Sequence, residues 1–65
     1  MKKVFVIGAG GWGTTLANLL SYQFDVLLWA HEKEVAEEIN TFHINNTFLP
    51  GITLNSNLKS TNSLS

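Results

Sequence analysis

Glycines between residues 8 and 13 join an uninterrupted apolar run to a segment of helical periodicity, and this junction constrains the fold more than any other feature. The run before it, Val4 to Ile7, predicts a strand over residues 2–7 that is buried on both faces. The segment after it predicts a helix from about residue 11 to 22. Its expected buried face is formed by Trp12, Leu16, Leu19 and Leu20. A strand that turns directly into a helix through glycines is the opening of an α/β unit.

The same alternation continues after the first helix. A second apolar run predicts a strand over residues 25–30, and residues 32–41 predict a helix. Residues 45–51 are expected to be loop, and residues 52–54 a short strand. From Asn55 onward the chain is mostly Ser, Thr and Asn, so we expect this tail to remain unordered. The expected buried stripe of the second helix consists of Val35, Ala36, Ile39 and Phe42.

Composition narrows the classes of function. A net charge of −1 provides no basic surface for nucleic acid, and no apolar run is long enough to span a membrane. The chain has no cysteine, which excludes disulfides and thiolate metal sites. Lys2 and Lys3 before an apolar run resemble the start of a signal peptide. Four glycines among residues 8–13 make a poor apolar helix, however, so we expect a cytoplasmic protein.

The glycines follow the pattern G-x-G-x-x-G, which by itself is weak evidence. Its position between a strand and a helix is the context that indicates dinucleotide binding. Gly8 is expected to permit the tight turn, Gly10 to let a pyrophosphate approach the backbone, and Gly13 to let helix and strand pack closely. We therefore predict a Rossmann-type doubly wound parallel sheet of the α/β class, of which only the first β-α-β-α portion is present.

The end of the second strand bears on cofactor choice. An Asp or Glu that binds the adenosine ribose is usual there, but Ala30 occupies the position. His31 could donate to a 2′-phosphate or stack near adenine, whereas Glu32 would repel the phosphate and accept from a ribose hydroxyl. Both residues could instead simply begin the second helix. NAD and NADP therefore both remain open as cofactors.

Two further sets of polar residues are interpreted as structural. His43 has no metal-ligand partner at a suitable spacing, so no metal site is predicted. Lys33 and Glu37 are one helical turn apart and are expected to pair on a solvated face.

Two segments together resemble the NAD(P)-dependent glycerol-3-phosphate dehydrogenases. Residues 8–17, Gly-Ala-Gly-Gly-Trp-Gly-Thr-Thr-Leu-Ala, are similar to the family's G-A-G-x-W-G-T-x-L-A opening. Residues 43–51, His-Ile-Asn-Asn-Thr-Phe-Leu-Pro-Gly, are similar to its H-x-N-x-x-Y-L-P-G segment. The resemblance implies reduction of dihydroxyacetone phosphate to sn-glycerol 3-phosphate by a nicotinamide hydride, which supplies phospholipid synthesis in bacteria. It also implies cofactor contacts at Gly11, Trp12, His31, Glu32 and Phe48.

Three positions depart from that family pattern. Gly11 stands where serine is common, Glu32 where arginine is common, and Phe48 where tyrosine is usual. The family's catalytic lysines have no counterpart here, so residues 1–65 are interpreted as a truncated N-terminal part of a dinucleotide-binding domain without the substrate domain. We expect no catalytic residue in this chain, a small phosphorylated substrate for the full-length parent, and a possible oligomer. The alternatives are another Rossmann dehydrogenase fragment and a non-catalytic NAD(H)-binding module.

Overall fold

The computed structural model describes residues 1–64 as a small α/β unit of two helices and five strands. Neither helix in this part of the chain has the length and hydropathy needed to cross a membrane. In chain order the elements are β1 (Lys3–Ile7), α1 (Gly11–Leu20), β2 (Asp25–Trp29), α2 (Lys33–Phe42), β3 (Ile44–Asn45), β4 (Leu49–Thr53) and β5 (Lys59–Thr61).

The main sheet is parallel and has the strand order β1-β2-β5. Val4 lies opposite Val26 in the first pair, and Leu28 lies opposite Ser60 in the second. Because crossovers between parallel strands are right-handed and both connections advance in the same direction, α1 and α2 cover the same face of the sheet. The α/β class and the parallel sheet predicted from the sequence are confirmed.

The core lies between that face and the two helices. Leu28 of β2 and Ile39 of α2 are fully buried there, together with Ala17 of α1. Val4 and Val6 pack against them from β1. Burial of these apolar side chains is the main favourable term in forming the unit, at about 25 cal/mol for each Å² removed from water.

The opposite face of the sheet is open, so the prediction of strands buried on both faces is wrong for the described residues. Phe5 and Leu27 are exposed on this face, and Ile7 keeps 68% of its surface accessible. A continuous apolar run indicates that both faces of a strand are nonpolar. The helices of residues 1–64 nevertheless cover only one face of the sheet.

The segment after Asn55 is ordered, which corrects the expectation of an unordered tail. Leu58 is only 1% exposed, and β5 adds a third strand to the sheet. Asn40 of α2 donates from Nδ2 to the Ser60 carbonyl at 2.8 Å, and the Ser60 N–H donates to Asn40 Oδ1 at 2.8 Å. The polar composition of the tail did not reveal these contacts, which hold β5 together with its pairing to β2.

Three local predictions also need correction. The α1 stripe of Trp12, Leu16 and Leu19 faces solvent, and the buried side of the helix carries Thr14 and Ala17 instead. Helix α2 buries the expected residues except Phe42, which is exposed. The expected loop over residues 45–51 is a short antiparallel hairpin of β3 and β4.

We predict that Leu58→Ala lowers the free energy of unfolding by about 2–5 kcal/mol, because the substitution leaves a cavity beneath β5. The matched control is Leu19→Ala, which removes the same atoms from an exposed site on α1 and should cost under about 1 kcal/mol. Urea denaturation of the gene product that contains this chain measures both. Equal losses for the two variants would contradict a buried anchor at Leu58.

Candidate functional site

The glycine turn after β1 has the geometry that its spacing predicts. Gly8 has φ of +105°, a conformation that side chains other than glycine rarely adopt. Its N–H donates to the Trp29 carbonyl at 3.0 Å, which ties the turn to the end of β2. A Cβ on Gly13 would overlap the Gly8 carbonyl oxygen, so the role predicted for Gly13 in close helix–strand packing is confirmed.

Helix α1 begins without a side-chain cap. Gly10 is the N-cap residue, and within the described chain no side-chain hydrogen bond caps this end and no acidic residue lies in its first turn. The first N–H groups of a helix have no partner inside it, and they carry the positive end of the helix dipole. An added Cβ on Gly10 would meet open space, so the backbone is accessible from outside. The helix start is suited to a ligand that carries negative charge.

A cleft of about 250 Å³ lies at the carboxyl ends of β1 and β2. In an open α/β sheet this is the edge at which ligands bind. The structure brings five of the eight predicted site residues together in its lining, namely Gly8, Gly10, His31, Glu32 and Phe48. Larger hollows lie on the open face of the sheet beside Phe5 and Leu27, and at the amino ends of the strands beside Lys3 and Asp25, away from the start of α1.

The other three predicted residues lie next to this cleft. Gly11 and Trp12 line an adjoining shallow hollow with Thr15 and Leu49, and Gly13 lies beneath the turn. Trp12 is 89% exposed, so its alternative role in core packing is ruled out. A large aromatic ring therefore stands in solvent beside the uncapped helix start.

His31 and Glu32 directly precede α2 and line the cleft. His31 is exposed, and its ring packs against the Trp29 ring in a T-shaped arrangement with the two centroids 5.9 Å apart. Glu32 is the N-cap residue of α2, but its carboxylate makes no capping hydrogen bond. The interpretation of these residues as the start of the helix is wrong for His31, which lies before the N-cap, and holds for Glu32 only as the N-cap residue. Ala30 is buried, and no acid stands at the strand end.

The sequence argument missed a buried amide that links the two sides of the cleft. Asn45 is 0% exposed, and its Nδ2 donates to the Ala9 carbonyl at 3.0 Å and to Thr14 Oγ1 at 2.9 Å. The Thr14 hydroxyl also donates to the Ala9 carbonyl, at 3.1 Å. The Phe48 N–H donates to Asn45 Oδ1 at 3.2 Å. The available signal was the asparagine directly after Ile44, at the start of a segment otherwise interpreted as loop.

The remaining polar predictions concern structure. His43 has φ of 59° and ends α2, where its N–H donates to the Ile39 carbonyl at 3.0 Å, so the structural role expected for it is confirmed. Lys33 and Glu37 pair at 3.7 Å on an exposed helix face, as predicted. Among residues 1–64, no group of three histidine or acidic side chains is arranged to hold a metal ion.

Residues 3–65 match the family model described as the N-terminus of NAD-dependent glycerol-3-phosphate dehydrogenase. A glycerol-3-phosphate dehydrogenase (NAD(P)+) from Geobacter sulfurreducens is 55% identical over 64 residues, which cover 97% of this chain and 19% of that protein. The protein of the same name from Bacillus licheniformis is 45% identical over 65 residues, covering 98% of this chain and 19% of that protein.

Solved structures agree with these sequence matches. A glycerol-3-phosphate dehydrogenase from Saccharomyces cerevisiae has a TM-score of 0.88 at 39% identity, over 97% of this chain and 22% of that one. The enzyme from Coxiella burnetii has a TM-score of 0.84 at 33% identity, over 97% of this chain and 20% of that one. The chain thus spans about a fifth of the length of the relatives that it matches.

We predict that Gly13→Ala destabilises the unit by about 1–3 kcal/mol, because the new methyl group must displace the Gly8 backbone. Gly10→Ala is the matched control, and it should cost less than about 1 kcal/mol because its methyl group meets open space. Thermal denaturation of both variants checks this order. A Gly13→Ala protein as stable as Gly10→Ala would show that α1 and the turn are not in close contact.

Proposed function

The chain belongs to the family of NAD-dependent glycerol-3-phosphate dehydrogenase N-termini, and we propose that it binds the adenosine and pyrophosphate half of NAD or NADP. The observation that carries the proposal is the uncapped start of α1 at the edge of the cleft. Backbone N–H groups there can donate to a pyrophosphate, and the helix dipole favours its charge. The cleft volume of about 250 Å³ is below the usual range for drug-sized ligands, so it suits only part of a dinucleotide.

Each residue around the cleft has a proposed task. Gly8 and Gly10 leave the backbone open to the pyrophosphate, and the N–H groups at the start of α1 bind it. The exposed rings of Trp12 and Phe48 flank this region and supply flat apolar surface, while Gly13 keeps helix and turn in contact. These tasks require binding and orientation only.

His31 and Glu32 are placed to meet the adenosine ribose. Both line the cleft beyond the end of β2, and neither side chain is used in capping α2. Glu32 can accept from a ribose hydroxyl but repels a 2′-phosphate, whereas His31 can donate to either group. We propose that the cofactor preference is permissive and leans away from NADP because of Glu32.

We propose that the gene product containing this chain reduces dihydroxyacetone phosphate to sn-glycerol 3-phosphate. The bound dinucleotide would supply the hydride, and the residues described here would hold and orient it. This chain contributes no catalytic side chain in the proposal, because the family's catalytic lysines have no match among its residues. In this proposal residues 1–65 act as the N-terminal part of a dinucleotide-binding domain, in a cytoplasmic enzyme that supplies lipid synthesis.

The test is an assay of NADH oxidation with dihydroxyacetone phosphate as substrate. The loss of nicotinamide absorbance measures the rate. The wild-type gene product should turn over, and Gly10→Val should lose most cofactor affinity because two methyl groups occupy the path of the pyrophosphate. The fold should be retained, because a Cβ added at Gly10 would meet open space.

Three results would contradict this proposal. Turnover with a hydroxy acid but not with dihydroxyacetone phosphate would indicate a different dehydrogenase. Tight binding of NADH without any turnover would indicate a binding module. An unchanged dissociation constant in Gly10→Val would show that the glycine turn does not hold the pyrophosphate.

Cofactor choice gives a second test. We predict that Glu32→Arg shifts the ratio of kcat/KM for NADPH to that for NADH several-fold upward, because it removes a repulsive charge and adds an attractive one at a partly exposed site. Glu34→Arg is the control, since it makes the same change on the exposed surface of α2 and is outside the cleft lining. If both variants shift the ratio equally, the effect is one of overall charge and Glu32 does not face the ribose.

A further inference from the structure

The amide of Asn45 is hydrogen-bonded at both of its ends. Its Nδ2 donates to the Ala9 carbonyl and to Thr14 Oγ1, while Oδ1 accepts from the Phe48 N–H. The side chain is 0% exposed, so it cannot touch a ligand. A buried polar group in so complete a network fixes the relative positions of its partners.

One of those partners controls the direction of a backbone donor. Ala9 and Gly10 share a trans peptide bond, in which the carbonyl and the following N–H point in opposite directions. Asn45 and Thr14 both donate to the Ala9 carbonyl and hold it toward the interior. The Gly10 N–H is thereby turned outward, on the side where Gly10 lines the cleft.

The oxygen end of the same amide fixes the position of Phe48, which lines the opposite side of the cleft. Asn45 Oδ1 holds the Phe48 N–H at 3.2 Å, and Phe48 lies in the turn between β3 and β4. The Phe48 carbonyl oxygen is 3.1 Å from the position that a Cβ on Gly11 would occupy. The hairpin is therefore held directly against the start of α1.

We propose that Asn45 is a positioning residue for dinucleotide binding, which aims the Gly10 N–H at the pyrophosphate and sets the distance between Phe48 and the glycine turn. This inference rests on the proposed function, because it assigns the ligand of the cleft. In this role Asn45 acts only through Ala9, Thr14 and Phe48. It lies 36 positions after Ala9 along the chain.

Asn45→Asp tests the proposal in the gene product that contains this chain. The carboxylate has the shape of the amide but cannot donate, so an oxygen would face the Ala9 carbonyl and the peptide would turn away. We expect the dissociation constant for NADH, measured by titration calorimetry, to rise at least about tenfold. The KM for dihydroxyacetone phosphate and kcat at saturating NADH should remain within about twofold of wild type.

Asn40→Asp is the matched control. Asn40 also bridges backbone groups through both ends of its amide, but it joins α2 to β5 and is outside the cleft lining. We expect this variant to lose thermal stability and to retain the wild-type dissociation constant. The comparison separates positioning of the site from general destabilisation.

Thr14 provides a second pair of variants in case Asn45→Asp folds poorly. Thr14→Val keeps the buried shape and removes the hydroxyl that bonds both Ala9 and Asn45, whereas Thr14→Ser keeps the hydroxyl. Valine should weaken NADH binding severalfold, and serine should restore it. In the ligand-free protein, the 15N–1H resonance of Gly10 should move in Thr14→Val and stay near its wild-type position in Thr14→Ser.

The outcomes distinguish this inference from the function on which it rests. If wild type binds NADH and reduces dihydroxyacetone phosphate, but Asn45→Asp and Thr14→Val bind NADH as tightly as wild type does, the positioning role is wrong and the function stands. Equal loss of affinity in Asn45→Asp and Asn40→Asp would also overturn the positioning role. If wild type does not bind NADH, the proposed function fails and the inference fails with it.

Discussion

The contact between Gly13 and the Gly8 carbonyl is the constraint on which the rest of the site depends. It brings the first turn of α1 against the strand-end turn with no side chain between them. The uncapped helix start then lies at the carboxyl edge of the sheet, and Thr14, the next residue, reaches the Ala9 carbonyl. A larger residue at Gly13 would move the helix outward and separate all of these groups at once.

That contact also explains why the buried side of α1 is not its most apolar side. Close approach leaves room for small side chains, so Thr14 and Ala17 face the sheet, while Trp12 and Leu16 face outward. Periodicity identifies an apolar stripe, but it does not state what that stripe contacts. The largest apolar residues were predicted to mark the buried side, but the close approach of the backbone leaves room only for small side chains there.

Features that depend on residues close together along the chain could be predicted from the sequence, and features that depend on distant residues could not. The turn at Gly8, the helix start at Gly10 and both long helices depend on neighbouring residues, and these were predicted. Strand β5 depends on Asn40, which is 20 positions away, and the cleft network depends on Asn45, which bonds Ala9 across 36 positions. The sequence does not show whether a polar side chain is hydrogen-bonded to water or to a distant backbone carbonyl. Strand β5 and the Asn45 network could therefore be identified only from the structure.

The short distance between the Phe48 carbonyl and Gly11 has a consequence for how this segment can vary. A Cβ at position 11 would lie 3.1 Å from that oxygen, which is closer than most side chains tolerate. Serine, common at this position in the family that the sequence resembles, would require the β3–β4 turn to retreat by a few tenths of an ångström. The β3–β4 turn therefore sets the size of residue that position 11 can accept, and a side chain there fits only if the turn moves with it.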